Sequence, residues 1–277
     1  MNTLLLRARP LRAVMRARPL RAVMLYASLA VGLGTSTVAV AELSNDAIIG
    51  PGLRIRPAYD GANSNQTELV PVIRYFGEIL FVRSTQGVLE GGARTELAPG
   101  LHIGAQLAYE PGRKASESRF LMDRGMPDLK IGASIGAQVE WDHKFGAMPV
   151  TLLARARQHS ATERGAQLDF RLSAGVFKSG RFAAGVFTQA TWANAKSTRS
   201  LYAITPQQAI ASGLPAYTPG SGWLVSSLGL LWSFDVSEKW VAVGNLESRH
   251  LQGDSARSPI TERKTNYAAS AGLAYRF

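Results

Sequence analysis

The chain contains no cysteine in its 277 residues. Disulfides and thiolate metal sites are therefore excluded, and stability must come from a sizeable core or from a membrane. Charge is sparse, at 18 % of residues, and no window after residue 41 approaches the ~20 apolar residues of a transmembrane helix. The formal charge of +11 does not mark a nucleic-acid binder. Six of the 31 basic residues (Arg7, Arg9, Arg12, Arg16, Arg18 and Arg21) precede the first acid, and removing residues 1–41 leaves 31 − 6 = 25 bases against 20 acids. No Lys/Arg cluster interleaved with stacking aromatics follows, so no nucleic-acid partner is expected.

Chemistry-bearing motifs are also missing. The histidines (His102, His143, His159 and His250) lack ligand spacing such as H-E-x-x-H, so neither a metal nor a cofactor is expected. No G-x-S-x-G or phosphate-cradling loop occurs. "GDS" at 253–255, with His250 nearby, is the one hint of a serine hydrolase, through Ser255. In a loop rich in Ser, Asp and Gly the residues read better as turn formers. No catalytic residue is assigned.

What is present begins with a targeting segment. A basic run leads into "MLYASLAVGLGTSTVAVAE", which is too short to span a bilayer as a helix and ends in small residues. Ala39-Val40-Ala41 supplies an A-x-A pattern, so a signal peptide of residues 1–41 is expected, with Glu42 opening a 42–277 barrel domain. "RARPLRAVM" occurs at 7–15 and again at 16–24, the mark of a duplication or of an early start codon, with Met15 the better start.

The remainder alternates with period two. In 129–141, Leu129, Ile131, Ala133, Ile135, Ala137, Val139 and Trp141 oppose Lys130, Gly132, Ser134, Gly136, Gln138 and Glu140. In 165–177, Leu168, Phe170, Leu172 and Val176 oppose Gln167, Asp169, Arg171 and Ser173. The last twelve residues, "NYAASAGLAYRF", alternate to the terminal aromatic. These segments exceed the ~5–6 residues of soluble strands and match the ~9–11 of a tilted membrane strand.

Connections alternate between short and long, the former periplasmic and the latter extracellular. With both ends periplasmic the count is even. "EILFVRS" (78–84) and "GVLEGGARTE" (87–96) complete twelve strands; ten is the alternative if they form one irregular excursion. The fold class is thus a transmembrane antiparallel β-barrel in outer-membrane lipid. Aromatics form two belts: Phe145, Phe177, Phe182, Phe234, Trp240, Tyr275 and Phe277 by the short turns, and Tyr59, Tyr109, Trp192, Trp223 and Tyr267 by the long loops.

The polar face carries Arg54, Arg56, Arg74, Lys130, Arg155, Arg157, Arg171, Lys239, Arg249 and Arg276 against Glu68, Glu110, Glu140, Asp169 and Glu247. Such a surplus would bias an open pore toward anions. A barrel this narrow is filled by its own side chains, so neutralising pairs are the preferred expectation. One long loop holds more. Thr205, Pro206 and Gln208 form a capping box with proline in the first turn, and Gly213 and Pro215 supply a stop. A helix over 206–211 is predicted on the extracellular rim, flanked by Tyr202 and Tyr217.

"YAITPQQAIASGLPAY" (202–217), "LQGDSARSPITER" (251–263), "SAGLAYRF" at the end and "RPAYDGANSNQTELVPVIRYFG" (56–77) resemble the MipA/OmpV family of outer-membrane proteins, that of the MltA-interacting protein. The resemblance implies a bacterial outer-membrane barrel, exported through the periplasm, that acts without catalysis. It implies a scaffold joining a murein lytic transglycosylase to a bifunctional murein synthase, a penicillin-binding protein. It also implies that Tyr275 and Phe277 form the mark read by the barrel-insertion machinery. A small-solute or anion channel through the basic lumen is the alternative.

Overall fold

A computed structural model describes residues 47–85 and 88–277. The expected leader, with Met15, Ala39, Ala41 and Glu42, lies outside the described residues. Twelve strands follow: β1 (Ile48–Pro57), β2 (Asn65–Phe76), β3 (Leu80–Thr85), β4 (Val88–Ala98), β5 (Leu101–Glu110), β6 (Gly132–Phe145), β7 (Met148–His159), β8 (Ala166–Ser179), β9 (Phe182–Ala193), β10 (Gly222–Asp235), β11 (Trp240–Leu251) and β12 (Thr265–Arg276). The loops add three short helices: α1 (Arg119–Met122), α2 (Ala195–Tyr202) and α3 (Pro206–Ser212).

Each strand pairs antiparallel with its sequence neighbours, and β1 pairs with β12, as in Leu53↔Ala271, to close the barrel. Twelve is the preferred count of the sequence, and the weak segment supplies β3 and β4. No helix among the described residues is long and apolar enough to cross a membrane; the strands do that. Closure gives each strand a hydrogen-bonded neighbour on both sides, the arrangement by which a sheet crosses a bilayer core.

Alternation sets which face meets lipid. Along β8, Leu168, Phe170 and Leu172 are exposed on the outer face while Asp169 and Ser173 are buried within. Along β12, Tyr267 and Leu273 face out, whereas Asn266, Ala268 and Ala274 are buried inside. A charge on the lipid face at mid-depth costs ~2–4 kcal/mol, so one slip of register would put Asp169 or Arg171 in hydrocarbon and is excluded.

The short-turn belt is continuous in places. Trp240 and Tyr275 rings lie 5.4 Å apart, and Tyr275 and Phe277 also 5.4 Å. Phe177 and Phe182 meet at 6.1 Å. At the other end Tyr109, Trp223 and Tyr267 are exposed as expected, but Tyr59 is 7 % exposed. Tyr59 belongs to the cap over the lumen, because its loop folds inward and its hydroxyl finds the Ile260 carbonyl at 2.8 Å.

Candidate functional site

The lumen has three levels: a cap at the long-loop end, a layer of ion pairs beneath it, and a cavity at the short-turn end. The cap is built by the loops after β1, β5, β9 and β11. Tyr59, Leu121, Met126, Tyr202, Ile204, Leu224, Leu251 and Ile260 form one buried apolar cluster. Hydrogen bonds tie the loops together. Ser258 Oγ donates to the Tyr202 carbonyl at 2.7 Å, Arg113 Nη1 to the Leu201 carbonyl at 3.0 Å, and Tyr217 Oη to the Asp254 carbonyl at 2.9 Å. Asn266, at the head of β12, accepts from the Gly61 amide at 2.8 Å and donates to the Ala62 carbonyl at 2.7 Å.

The predicted helix is present as α3, one residue longer. Thr205 accepts from the Gln208 amide at 3.2 Å, Gln208 Oε1 from the Thr205 amide at 2.8 Å, and Gly213 takes the left-handed conformation at φ 70°. Beyond it exposed Pro215 leads to Tyr217, which bridges Ile204. The sequence reading missed α2, which Asn194 caps by accepting from the Ser197 amide at 2.9 Å. Its buried face is Ser197, Thr198 and Tyr202, so no apolar stripe announced it.

Burial shapes the ionisation of the cap. It pushes the Tyr59 and Tyr202 hydroxyls well up, reinforced at Tyr59 by Glu262 and at Tyr202 by Asp60. Burial lowers Arg113. At Asp60 burial raises, but Arg249 in front of it outweighs that and holds the carboxyl below its ordinary value. The Gly220 amide, 2.7 Å away, holds Asp254 low in the same way. Ser255 is fully buried, its Oγ 2.6 Å from both the Leu224 and Gln252 carbonyls, while His250 Nδ1 lies 2.8 Å from Thr265 Oγ1. The pair is not assembled for nucleophilic attack.

Below the cap, inward residues of facing strands form a connected ionic layer. Asp169 Oδ2 accepts from Arg155 Nε at 3.0 Å and Arg157 Nε at 2.9 Å, and its Oδ1 from Thr191 Oγ1 at 2.8 Å. Arg155 reaches on to Glu90 at 2.5 Å and Arg157 to Glu110 at 2.5 Å. Arg83 joins Glu90 to Glu140, the latter at 2.7 Å, and Arg94 meets Glu140 at 3.3 Å. On the first strands Arg56 grips Glu68 with two bonds of 2.8 and 3.1 Å, and Arg54 lies 3.5 Å from the same carboxylate. Arg249 grips Asp60 at 3.0 and 2.8 Å and holds Glu247 at 3.0 Å. Arg171 stacks on the Phe187 ring at 3.9 Å and donates to Gln189 at 3.2 Å.

The structure brings Arg54, Arg56, Arg155, Arg157, Asp169, Arg171, Glu247, Arg249 and Glu140 of the sequence reading into this layer. The sequence reading missed Arg83, Glu90 and Arg94 on β3 and β4, and Asp60 in the first loop. Lys130 precedes β6 and Lys239 sits in a turn, both exposed, so neither is a lumen charge. With the missed acids added, each of these carboxylates is paired with an arginine, so the acids of the layer are neutralised within it.

Toward the short turns the lumen widens into a cavity of about 900 Å³. Arg74, Arg171 and Arg276 line it among apolar Val72, Val150 and Leu153, and Gly100, Lys144 and Arg181 stand at the turn end. Arg276 bonds Asp235 at 2.6 Å across that rim.

A closed twelve-stranded barrel with an apolar outer wall, aromatic belts and a charged interior is an outer-membrane β-barrel of bacteria. The family of the MltA-interacting protein MipA matches residues 49–277, and the chain belongs to it. Among solved structures, an outer-membrane channel from Pseudomonas putida F1 is 12 % identical, with a TM-score of 0.51 over 90 % of this chain and 100 % of that one. The NanC porin (8 %, TM-score 0.47, 83 % and 100 % covered) and LpxR from Salmonella typhimurium (7 %, 0.45, 82 % and 100 %) are also similar. At such identities the likeness speaks to fold alone. Among curated proteins, none matches in sequence.

Proposed function

We propose that this barrel is a non-enzymatic scaffold of the cell envelope, closed to the outside and presenting its short-turn end to periplasmic murein enzymes. The carrying observation is the asymmetry of the lumen. Its long-loop end is filled by an apolar cap and an ionic layer, whereas its short-turn end holds an open cavity of about 900 Å³. A conducting pore needs a continuous wet path, and paired buried charges at hydrogen-bond distance fill that path. The family's name supports the partner, since the MltA-interacting protein is named for binding MltA. On this reading a murein lytic transglycosylase and a penicillin-binding protein dock at the turns and the wall below the aromatic belt. Pull-down from detergent extracts recovers one of them; repeated failure with the barrel intact would sink the scaffold.

A second reading, a small-solute or anion channel, draws on the cavity's arginines, with the ionic layer as its gate. Discrete conductance in planar bilayers, reduced on charge reversal of Arg155 and Arg157, is its signature, and a silent bilayer removes it.

A further inference from the structure

The cavity at the short-turn end has two unlike walls. On β1, β2, β11 and β12 its surface is apolar: Ile48, Val241 and Ala274 form a buried cluster against which Val72 and Val243 pack, and all but Ala274 line the cavity. The wall across from it is cationic. Lys144 on β6, Arg171 and Lys178 on β8, and Arg181 in the turn between β8 and β9 line it. The hairpins β6–β7 and β8–β9 are neighbours through pairs such as Val150↔Ala174, so these four side chains share one side of the barrel.

The ionic layer is neutralised, but the cavity beneath it is not. Eight Arg or Lys side chains line the cavity against three carboxylates, Glu140, Asp142 and Asp235. All three are engaged: Glu140 by Arg83 and Arg94, Asp235 by Arg276, and Asp142 by Thr151 Oγ1 at 2.6 Å. Arg171, Lys178 and Arg181 form no ion pair among the described residues. The Arg171 guanidinium carries five N–H donors in a rigid fork suited to a carboxylate. Among the described residues it makes one hydrogen bond, to Gln189 at 3.2 Å.

These cations stand at two depths. Lys178 is seven residues along β8 from Arg171, roughly 20 Å of strand at ~3.3 Å per residue. Thr151 and Ser173, paired across β7 and β8, add hydroxyls between them. A compact anion meets one level only. An extended tripeptide spans ~10 Å, its side-chain carboxylates lengthen that reach at both ends, and its apolar carbons rest on Ile48, Val72, Val241 and Val243. A volume of about 900 Å³ lies within the ~300–1,000 Å³ of small-ligand pockets. The cap and the ionic layer close the lumen above, so a solute reaches this wall from the turn end.

We propose that the cavity is a dead-end receptor for a short periplasmic peptide bearing carboxylates along its length. Arg171 takes one carboxylate at the floor, and Lys144, Lys178 and Arg181 take others at the mouth. This goes beyond the scaffold reading and does not depend on it.

Isothermal titration calorimetry on the full barrel in non-ionic detergent tests this with the tripeptide Ala-Glu-Glu, compared with citrate and with amidated Ala-Gln-Gln. The expected result is one saturable site for Ala-Glu-Glu, none for amidated Ala-Gln-Gln, and an affinity about tenfold lower in Arg171→Gln, as loss of one charge-assisted hydrogen-bonded contact implies. Attraction to the exposed turn cations alone would leave the affinity unchanged in Arg171→Gln. A second readout alters no charge. Ser270, half-buried on β12, lines the cavity, and the chain has no native cysteine. In Ser270→Cys, bound Ala-Glu-Glu slows modification by neutral methyl methanethiosulfonate several-fold. Citrate binding as tightly as Ala-Glu-Glu overturns the peptide in favour of a compact acid. Absence of saturable binding, binding indifferent to Arg171→Gln, or a Ser270→Cys thiol that is unreactive in the free barrel or unprotected by the peptide overturns the receptor.

Discussion

Replacing Asp169 by asparagine tests the ionic layer at its densest node. Asp169 is 1 % exposed and accepts from two arginines and a threonine. Asparagine keeps the volume, so the cost is electrostatic and not that of a cavity. Removing one member of a buried ion pair costs about 3–5 kcal/mol. Here Arg155 retains Glu90 at 2.5 Å and Arg157 retains Glu110 at 2.5 Å, which places the loss near the lower end, about 3 kcal/mol. With a urea slope of ~2 kcal/mol/M, the unfolding midpoint followed by tryptophan fluorescence in vesicles falls by about 1.5 M. The internal control is Asp235→Asn. Its carboxylate also meets an arginine, Arg276 at 2.6 Å, but its side chain is 43 % exposed, so screening limits the loss to ~0–1 kcal/mol. If Asp169→Asn costs no more than Asp235→Asn, the ionic layer does not hold the lumen together and the reasoning fails.

Three further outcomes follow from the cap and the termini of strands. Asp60 has a depressed folded-state pKa through Arg249, so its contribution is present above the unfolded value of ~3.9 and lost as pH falls through the lower folded one; wild type and Asp60→Asn therefore differ in unfolding midpoint at pH 7 and at pH 5, and converge only well below pH 4. Convergence already at pH 5 contradicts the pairing. Gly165→Ala loosens the rim by about 1–3 kcal/mol, because Gly165 has φ 68° and ψ −158° and an added Cβ would lie 2.3 Å from the Asn194 side chain that caps α2; hydrogen exchange at the first amides of α2 reports it, and unchanged protection refutes it. Deleting Phe277, which is 77 % exposed and in ring contact with Tyr275, lowers the yield of heat-modifiable barrel in the membrane far more than truncating exposed Ile210; equal yields remove the insertion-signal role.

Much of the barrel was legible because two constraints act together on every strand. The outer face must be apolar and the inner face may be charged, so β6, β8 and β12 each announce themselves by period two. The segment 78–96 was weaker for physical reasons. β3 is short, Phe81 turns an aromatic inward to 1 % exposure, and the Gly91-Gly92 pair dilutes the β-propensity of β4. Arg83, Glu90 and Arg94 were hidden there, although Glu90 and Arg94 share one face of β4 by the same even spacing that Arg155 and Arg157 show on β7. Asp60 was missed because a loop residue reaches the lumen only through the fold of the cap, which no local pattern encodes. The capping box of α3 needed only four residues to be read, whereas α2 is held by Asn194 and by small polar residues packed under the cap.

The scaffold account turns on where partners touch the barrel, and site-specific photocrosslinking in intact envelopes reads that directly. A photoreactive residue is placed at Arg181 or Lys144, on the short-turn rim of the cavity, and another at Ile210, 88 % exposed on the extracellular α3. The account predicts adducts with a murein lytic transglycosylase or a penicillin-binding protein from the rim positions and none from Ile210. Abundant, correctly folded barrel without such adducts at the rim would contradict it.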